Sequence, residues 1–198
     1  MAQTAFLQDL LKLLSINKGY PKYQHERRID LFVNYFLPWI LKAVFGSPID
    51  LVVPEFPLKK PSSKLSTNAD YLAFCARDRL IFLCEFKTTH RSFEPDQMER
   101  YYQAQKAGWP RVLADVEEVS ASTSQENAPK YIKLLDTLRA IPSDATLRVV
   151  YIAPEVTRST LHEAASGRDY SLLSLESLHT LDIESPFKEE WLVVRSSI

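Results

Sequence analysis

The stretch DYLAFCARDRLIFLCEFK, Asp70 to Lys87, constrains the fold more than any other part of the chain. It holds two short apolar runs on either side of Arg77 and Asp78. This pattern predicts two strands, Asp70 to Ala76 and Leu80 to Lys87, joined as a hairpin. With Arg77 and Asp78 as a two-residue loop, residue 76 pairs with 79, and paired positions sum to 155. Asp70 then falls opposite Glu85, with Cβ atoms ~4.5–5.5 Å apart on one face. Lys87, two residues further on, shares that face. Leu72, Phe74, Ile81 and Leu83 continue it, while Tyr71, Ala73, Cys75, Phe82, Cys84 and Phe86 form the other. Both faces are apolar, as expected of buried central strands. Charges at the ends of such strands are costly unless paired or metal-bound.

The rest of the chain places helices around this hairpin. Helices are expected over Ala5 to Leu14, Gln24 to Phe45 (with Pro38 inside), Ser92 to Ala107 (with Ser92 as cap), Pro129 to Ala140 and Ser159 to Ala165. Strands are expected over Ile49 to Phe56, Leu147 to Ala153, Leu172 to Leu175 and Trp191 to Arg195. Lys59 to Asn68 and Ser120 to Ala128 read as polar loops. The order predicts an α/β domain, a mixed central β-sheet flanked by helices. A length of 198 residues suits one domain, spanning 1–198. Residues 1–18 are expected to form an N-terminal helical extension and 154–198 a C-terminal extension of the core.

Composition narrows the function classes. Lys plus Arg is 24 and Asp plus Glu is 25, a formal charge of −1. That excludes a histone-like binder driven by global positive charge, but not a local basic groove. No apolar run reaches the ~18 residues of a membrane span. Met1 to Leu14 lacks the basic start and cleavage site of a secretory signal. Two cysteines, Cys75 and Cys84, cannot by themselves make a four-cysteine zinc or iron–sulfur site. A reducing, cytoplasmic location is expected. Neither GxGxxG nor GxxxxGK[ST] occurs, the four histidines lack ligand spacing, and no catalytic triad can be assembled.

The chemistry therefore concentrates on the charged end of the hairpin. Opposed carboxylates repel, and a divalent cation removes that objection. Mg²⁺, with Mn²⁺ as a substitute, takes oxygen ligands from one or two carboxylates plus waters and phosphates. A lysine beside it can position a water or stabilise charge on a phosphate. Glu85-Phe86-Lys87 is the only Glu-x-Lys in the chain. The bland alternative is a pair of exposed strand ends, with Asp70 salt-bridged to Lys87.

Two further groups stand out. At ~100° per residue, Glu26 lies in the apolar stripe of its helix, within about 60° of Ile29, Val33, Leu37 and Ile40. It serves either its own helix N-terminus or the cation site as a third acid. Gln97 and Tyr101 are four residues apart and stack along one helix face. Gln97 could bridge a phosphate or order the metal site, or be a surface glutamine beside a core tyrosine. Lys59, Lys60, Lys64, Arg77, Arg79, His90, Arg91, Arg100, Lys106 and Arg111 are candidates for tracking a phosphate backbone or else solvated surface.

Together, Glu26 on a helix, Asp70, the Glu85–Lys87 triplet and QMERY from Gln97 to Tyr101 resemble the PD-(D/E)XK nuclease superfamily. The resemblance covers Gln24 to Ala107, with Leu147 to Ala153 as the fourth core strand. It implies a restriction-endonuclease-like core, α-β-β-β-α-β. It implies that Asp70, Glu85 and the Phe86 backbone carbonyl bind Mg²⁺, with Glu26 as an added ligand, and that Lys87 is the catalytic lysine. Gln97 and Tyr101 are similar to the QxxxY element of the RecB-like and lambda-exonuclease-like branches. The substrate so implied is nucleic acid, DNA before RNA, and cutting both strands of a duplex would favour a homodimer. The chain departs from the family pattern where Ala69 precedes Asp70, and it lacks the four cysteines of the cluster-bearing branch. Two other readings stay open: a binding or scaffold module on this fold without turnover, and an unrelated α/β domain with a structural ion pair.

Overall fold

A computed structural model describes residues 7–13, 25–60, 66–89, 94–165 and 169–196. Residues 7–13 form helix α1. They are followed by α2 (His25–Phe45), β1 (Leu51–Lys59), β2 (Ser66–Cys75) and β3 (Leu80–Phe86). Then come α3 (Pro95–Ala107), α4 (Trp109–Ala121), α5 (Ala128–Leu138) and β4 (Thr146–Ala153). A 3₁₀ turn at Glu155–Thr157 leads into α6 (Arg158–Ala165), β5 (Ser171–Ser174), α7 (Leu175–Leu178) and α8 (Lys188–Arg195).

The five strands form one mixed sheet in the order β1-β2-β3-β4-β5. β1, β2 and β3 are antiparallel neighbours, whereas β4 and β5 join in parallel. Both faces of β2 and β3 are covered. On one face Leu72, Leu83 and Val149 pack under Met98, Tyr101, Trp109, Val116 and Leu138, which come from α3, α4 and α5. On the other, Tyr71, Phe82 and Val150 pack under Ile29, Val33, Leu37 and Ile40 of α2 and Trp191 of α8. The expected division of hairpin residues between two apolar faces is the division observed. The stripe of α2 expected from ~100° spacing is buried at all four of those positions. Among the described residues, no helix is long and apolar enough to cross a membrane.

Several elements differ from the sequence expectation. Lys59 and Ser66–Asn68 belong to strands, so the expected loop is shorter; residues 61–65 lie outside the described residues. Glu94, not Ser92, caps α3, and Ser92 lies outside the described residues. Helix α4 was not expected. Gly108, at φ 80°, ends α3, and Pro110 opens α4 in the first turn, where a missing N–H costs nothing. A Gly and a Pro so close read as an interruption only. The largest correction is Trp191–Arg195, which is helical rather than a strand. Trp191 and Val194 are buried while Leu192 is 41% exposed, the spacing of one helix face. A four-residue apolar run carries too little periodicity to separate helix from strand.

This correction is testable. Val194→Ala should cost about 1.5–2.5 kcal/mol in urea unfolding and Leu192→Ala less than about 1 kcal/mol. Comparable costs at the two positions, which share a face in a strand, would contradict the helix.

Candidate active site

The β2–β3 ladder runs from Cys75–Leu80 to Tyr71–Cys84, so paired positions sum to 155 as expected. The turn spans residues 76–79 rather than two residues, and the register is unchanged. Asp70 and Glu85 stand opposite each other one step beyond the last ladder pair. There the ladder gives way to a side chain: the Phe86 N–H donates to Asp70 Oδ2 at 2.6 Å. The next residue, Lys87, donates its N–H to Ile152 of β4 at 2.8 Å. Successive backbone groups of a strand point to opposite edges, so the Phe86 carbonyl points to the β2 side.

Glu85 is the one charged side chain among the fully buried described residues, at 1% exposure. Such a group is tolerated only when paired and hydrogen-bonded. Lys87 Nζ lies 2.5 Å from Glu85 Oε1. The Tyr101 hydroxyl donates to Glu85 Oε2. Gln97 Nε2 donates to the Tyr101 hydroxyl at 2.9 Å, so the expected one-turn stack on α3 is made. Burial first, then the Glu85 charge, pushes the Tyr101 phenol well above its ordinary range. It therefore stays a proton donor to the carboxylate. Tyr151 of β4, opposite Glu85 in the β3–β4 ladder, is pushed upward by the same two causes. The two phenol rings are 6.2 Å apart.

Two acids not singled out in the sequence lie near this end of the sheet. Glu55 stands opposite Asp70, between the Pro54–Tyr71 and Phe56–Ala69 pairs. Its φ is 51°, rare for a side chain with a Cβ. Across it β1 shifts its alternation, so that Leu51, Val53, Phe56 and Leu58 all face one cluster. Asp30 of α2 accepts a hydrogen bond from the Tyr71 hydroxyl. Burial and the nearby Glu55 charge raise the Asp30 carboxyl above its usual range. Asp30 follows Glu26 by one helical turn, a spacing visible in the sequence. Glu55 was hidden because the sequence alone does not fix the β1–β2 register.

Glu26 falls in the first turn of α2, but its side chain lies outside the described residues, as do Lys64, His90 and Arg91. Arg77 pairs with Asp78 and Arg79 with Asp144, at the turn end of the hairpin and away from Glu85. Cys75 and Cys84 are buried, and burial raises both thiols, which removes them as thiolate nucleophiles. No protein family matches the chain, and no curated protein or solved structure matches it significantly.

Among the described residues no three His, Cys, Asp or Glu side chains form a metal cluster. Asp70 and Glu85, opposite each other, would offer carboxylate oxygens here, with the Phe86 carbonyl on the β2 side. Each carboxylate oxygen has a second lone pair beyond the hydrogen bond it accepts. Such a set fits a hard divalent cation that takes few protein ligands and keeps its waters.

The buried pair sets a stability expectation. Lys87→Met leaves Glu85 unpaired and should cost ~3–5 kcal/mol, whereas Glu85→Gln with Lys87→Met should recover most of that loss. Tyr101→Phe should cost ~1.5–3 kcal/mol. Urea unfolding of these variants and of Glu85→Gln alone checks this; strictly additive costs at 85 and 87 would contradict the coupling.

Proposed function

We propose that the chain is a divalent-metal-dependent nuclease acting on DNA, built on a restriction-endonuclease-like core. The observation that carries this reading is the meeting of Asp70, Glu85 and Lys87 where two central strands part, with Gln97 and Tyr101 against them. The element order α2-β1-β2-β3-α3, followed after α4 and α5 by β4 parallel to β3, supports the finer fold.

On this reading Asp70, Glu85 and the Phe86 carbonyl hold Mg²⁺, with Glu26 adding a ligand from α2. The cation would supply Lewis-acid polarisation of the scissile phosphate and a more acidic water. Lys87 places a positive charge at the mouth of the site, 12% exposed in its side chain. There it orients the attacking water and stabilises the negative charge that grows on the phosphate. Tyr101 fixes the rotamer of Glu85, and Gln97 holds Tyr101 as the donor. Oriented carboxylates reduce the reorganisation needed during reaction.

A second reading has a specific observation in its favour. Both oxygens of Glu85 already have protein partners, Lys87 and Tyr101, so the network is complete within the chain. That suits a DNA-binding module without turnover.

Cleavage of linear DNA with Mg²⁺ or Mn²⁺ separates the two. The nuclease reading expects Asp70→Asn, Glu85→Gln and Lys87→Met each to lose about 10²-fold or more in rate. Full cleavage by any one of them would remove that residue from the machinery. Binding without metal-dependent cleavage by the wild type would favour the module.

A further inference from the structure

A cavity of about 260 Å³ lies between the end of β1, α3 and α4, on the Tyr101 side of the sheet. Its charged lining is Lys59, Lys60, Arg100, Arg111 and Asp115. Glu118 joins from its edge, accepting a hydrogen bond from Lys59. Arg111 lies 2.7 Å from Asp115 and 3.7 Å from Glu118. Lys59 lies 3.8 Å from Asp115. Two cations are thus matched by two carboxylates. Lys60 and Arg100 are surplus: among the described residues neither has an ion-pair partner. The Arg100 Nε is buried and has no hydrogen-bond partner among the described residues. A buried donor left in that state costs ~1–3 kcal/mol. A guanidinium fork is shaped to offset such a cost against a phosphate.

We infer that this cavity is a phosphate subsite, which rests on the nuclease reading. It takes a backbone phosphate of the DNA strand whose scissile phosphate lies at Asp70 and Glu85. Its size favours a phosphate over a whole ligand, since small-molecule sites run to ~300–1,000 Å³. Its position favours the same strand. Lys59 lies opposite Ser66, four β2 residues from Asp70, about 13 Å at ~3.3 Å per residue. About four nucleotides of duplex, at ~3.4 Å each, span that distance. Arg100 precedes Tyr101 on α3, so one helix serves both places.

The test reads binding in EDTA, without turnover. A fluorescein-labelled single-stranded DNA 20-mer is titrated with the full chain, and its anisotropy is followed at 50 to 200 mM NaCl. Each phosphate neutralised on a single strand contributes about −0.7 to the slope of log K against log salt. Lys60→Gln and Arg100→Gln should each make the slope shallower, and together they should remove the about 0.7 that one phosphate contributes. The double variant should bind about eightfold more weakly at 50 mM salt, as that slope change implies. Arg100→Lys, which keeps the charge, should restore the slope. Lys133→Gln, an exposed lysine on α5, should leave it unchanged. Lys60 is exposed, so its variant reads the site even if Arg100→Gln folds poorly. A wild type that does not bind at 50 mM salt, or an unchanged slope in Lys60→Gln, overturns the subsite. Weakened binding in the variants with no wild-type cleavage under Mg²⁺ keeps the subsite and removes the turnover reading. Unchanged binding in the variants with intact cleavage does the reverse.

Discussion

A carboxylate withdrawn from water decides what must surround it. Glu85 lies next to the end of the central strand β3 at 1% exposure, and its charge is supportable only because Lys87 meets one oxygen and Tyr101 the other. Lys87 is supplied by the same strand, two residues on. Tyr101 must come from elsewhere, so α3 has to return across the sheet with that residue facing inward. Met98, buried on the same helix, helps to seat it there. Tyr151 on β4 closes the remaining side. The end of β3 and helix α3 are therefore tied together through one side chain, with β4 packed alongside.

The sheet gives this network its asymmetry. Through Tyr71–Cys84 the β2–β3 ladder is regular. Beyond that pair the Asp70 side chain takes the Phe86 amide, and Glu55 on the neighbouring strand turns through a positive φ. Backbone that leaves a ladder exposes polar groups which side chains, water or a ligand must satisfy. Asp70 and Glu85 stand opposite each other at this parting of strands rather than within the regular ladder. The strain at Glu55, ~1–3 kcal/mol for such a conformation, falls opposite Asp70. The same charged end thus carries both the strain and the buried acid.

Much of this was legible in the residues, for physical reasons. The hairpin register followed from two apolar runs about a short polar turn, because the centre of that turn sets which residues pair. That register placed Asp70 opposite Glu85 even though the turn is longer than expected. The pairing of Gln97 with Tyr101 followed from helical spacing alone. The contact of Tyr101 with Glu85 did not, since nothing local links residues sixteen apart across a sheet and a helix. Glu55 and Tyr151 were hidden likewise, each depending on the register of a strand set by distant connections. The helix at Trp191 was misread because its burial pattern of two residues in four fits more than one period.

The central claim is that Asp70 and Glu85 together hold a divalent cation. Thermal unfolding of the wild type and Glu85→Gln, each in EDTA and in Mn²⁺, tests it most directly. A cation bound only by the folded chain raises wild-type Tm by about 5–10 °C at a hundredfold excess over Kd. The account predicts that rise in the wild type and its loss in Glu85→Gln. An equal rise in both proteins, or none in the wild type, would contradict it.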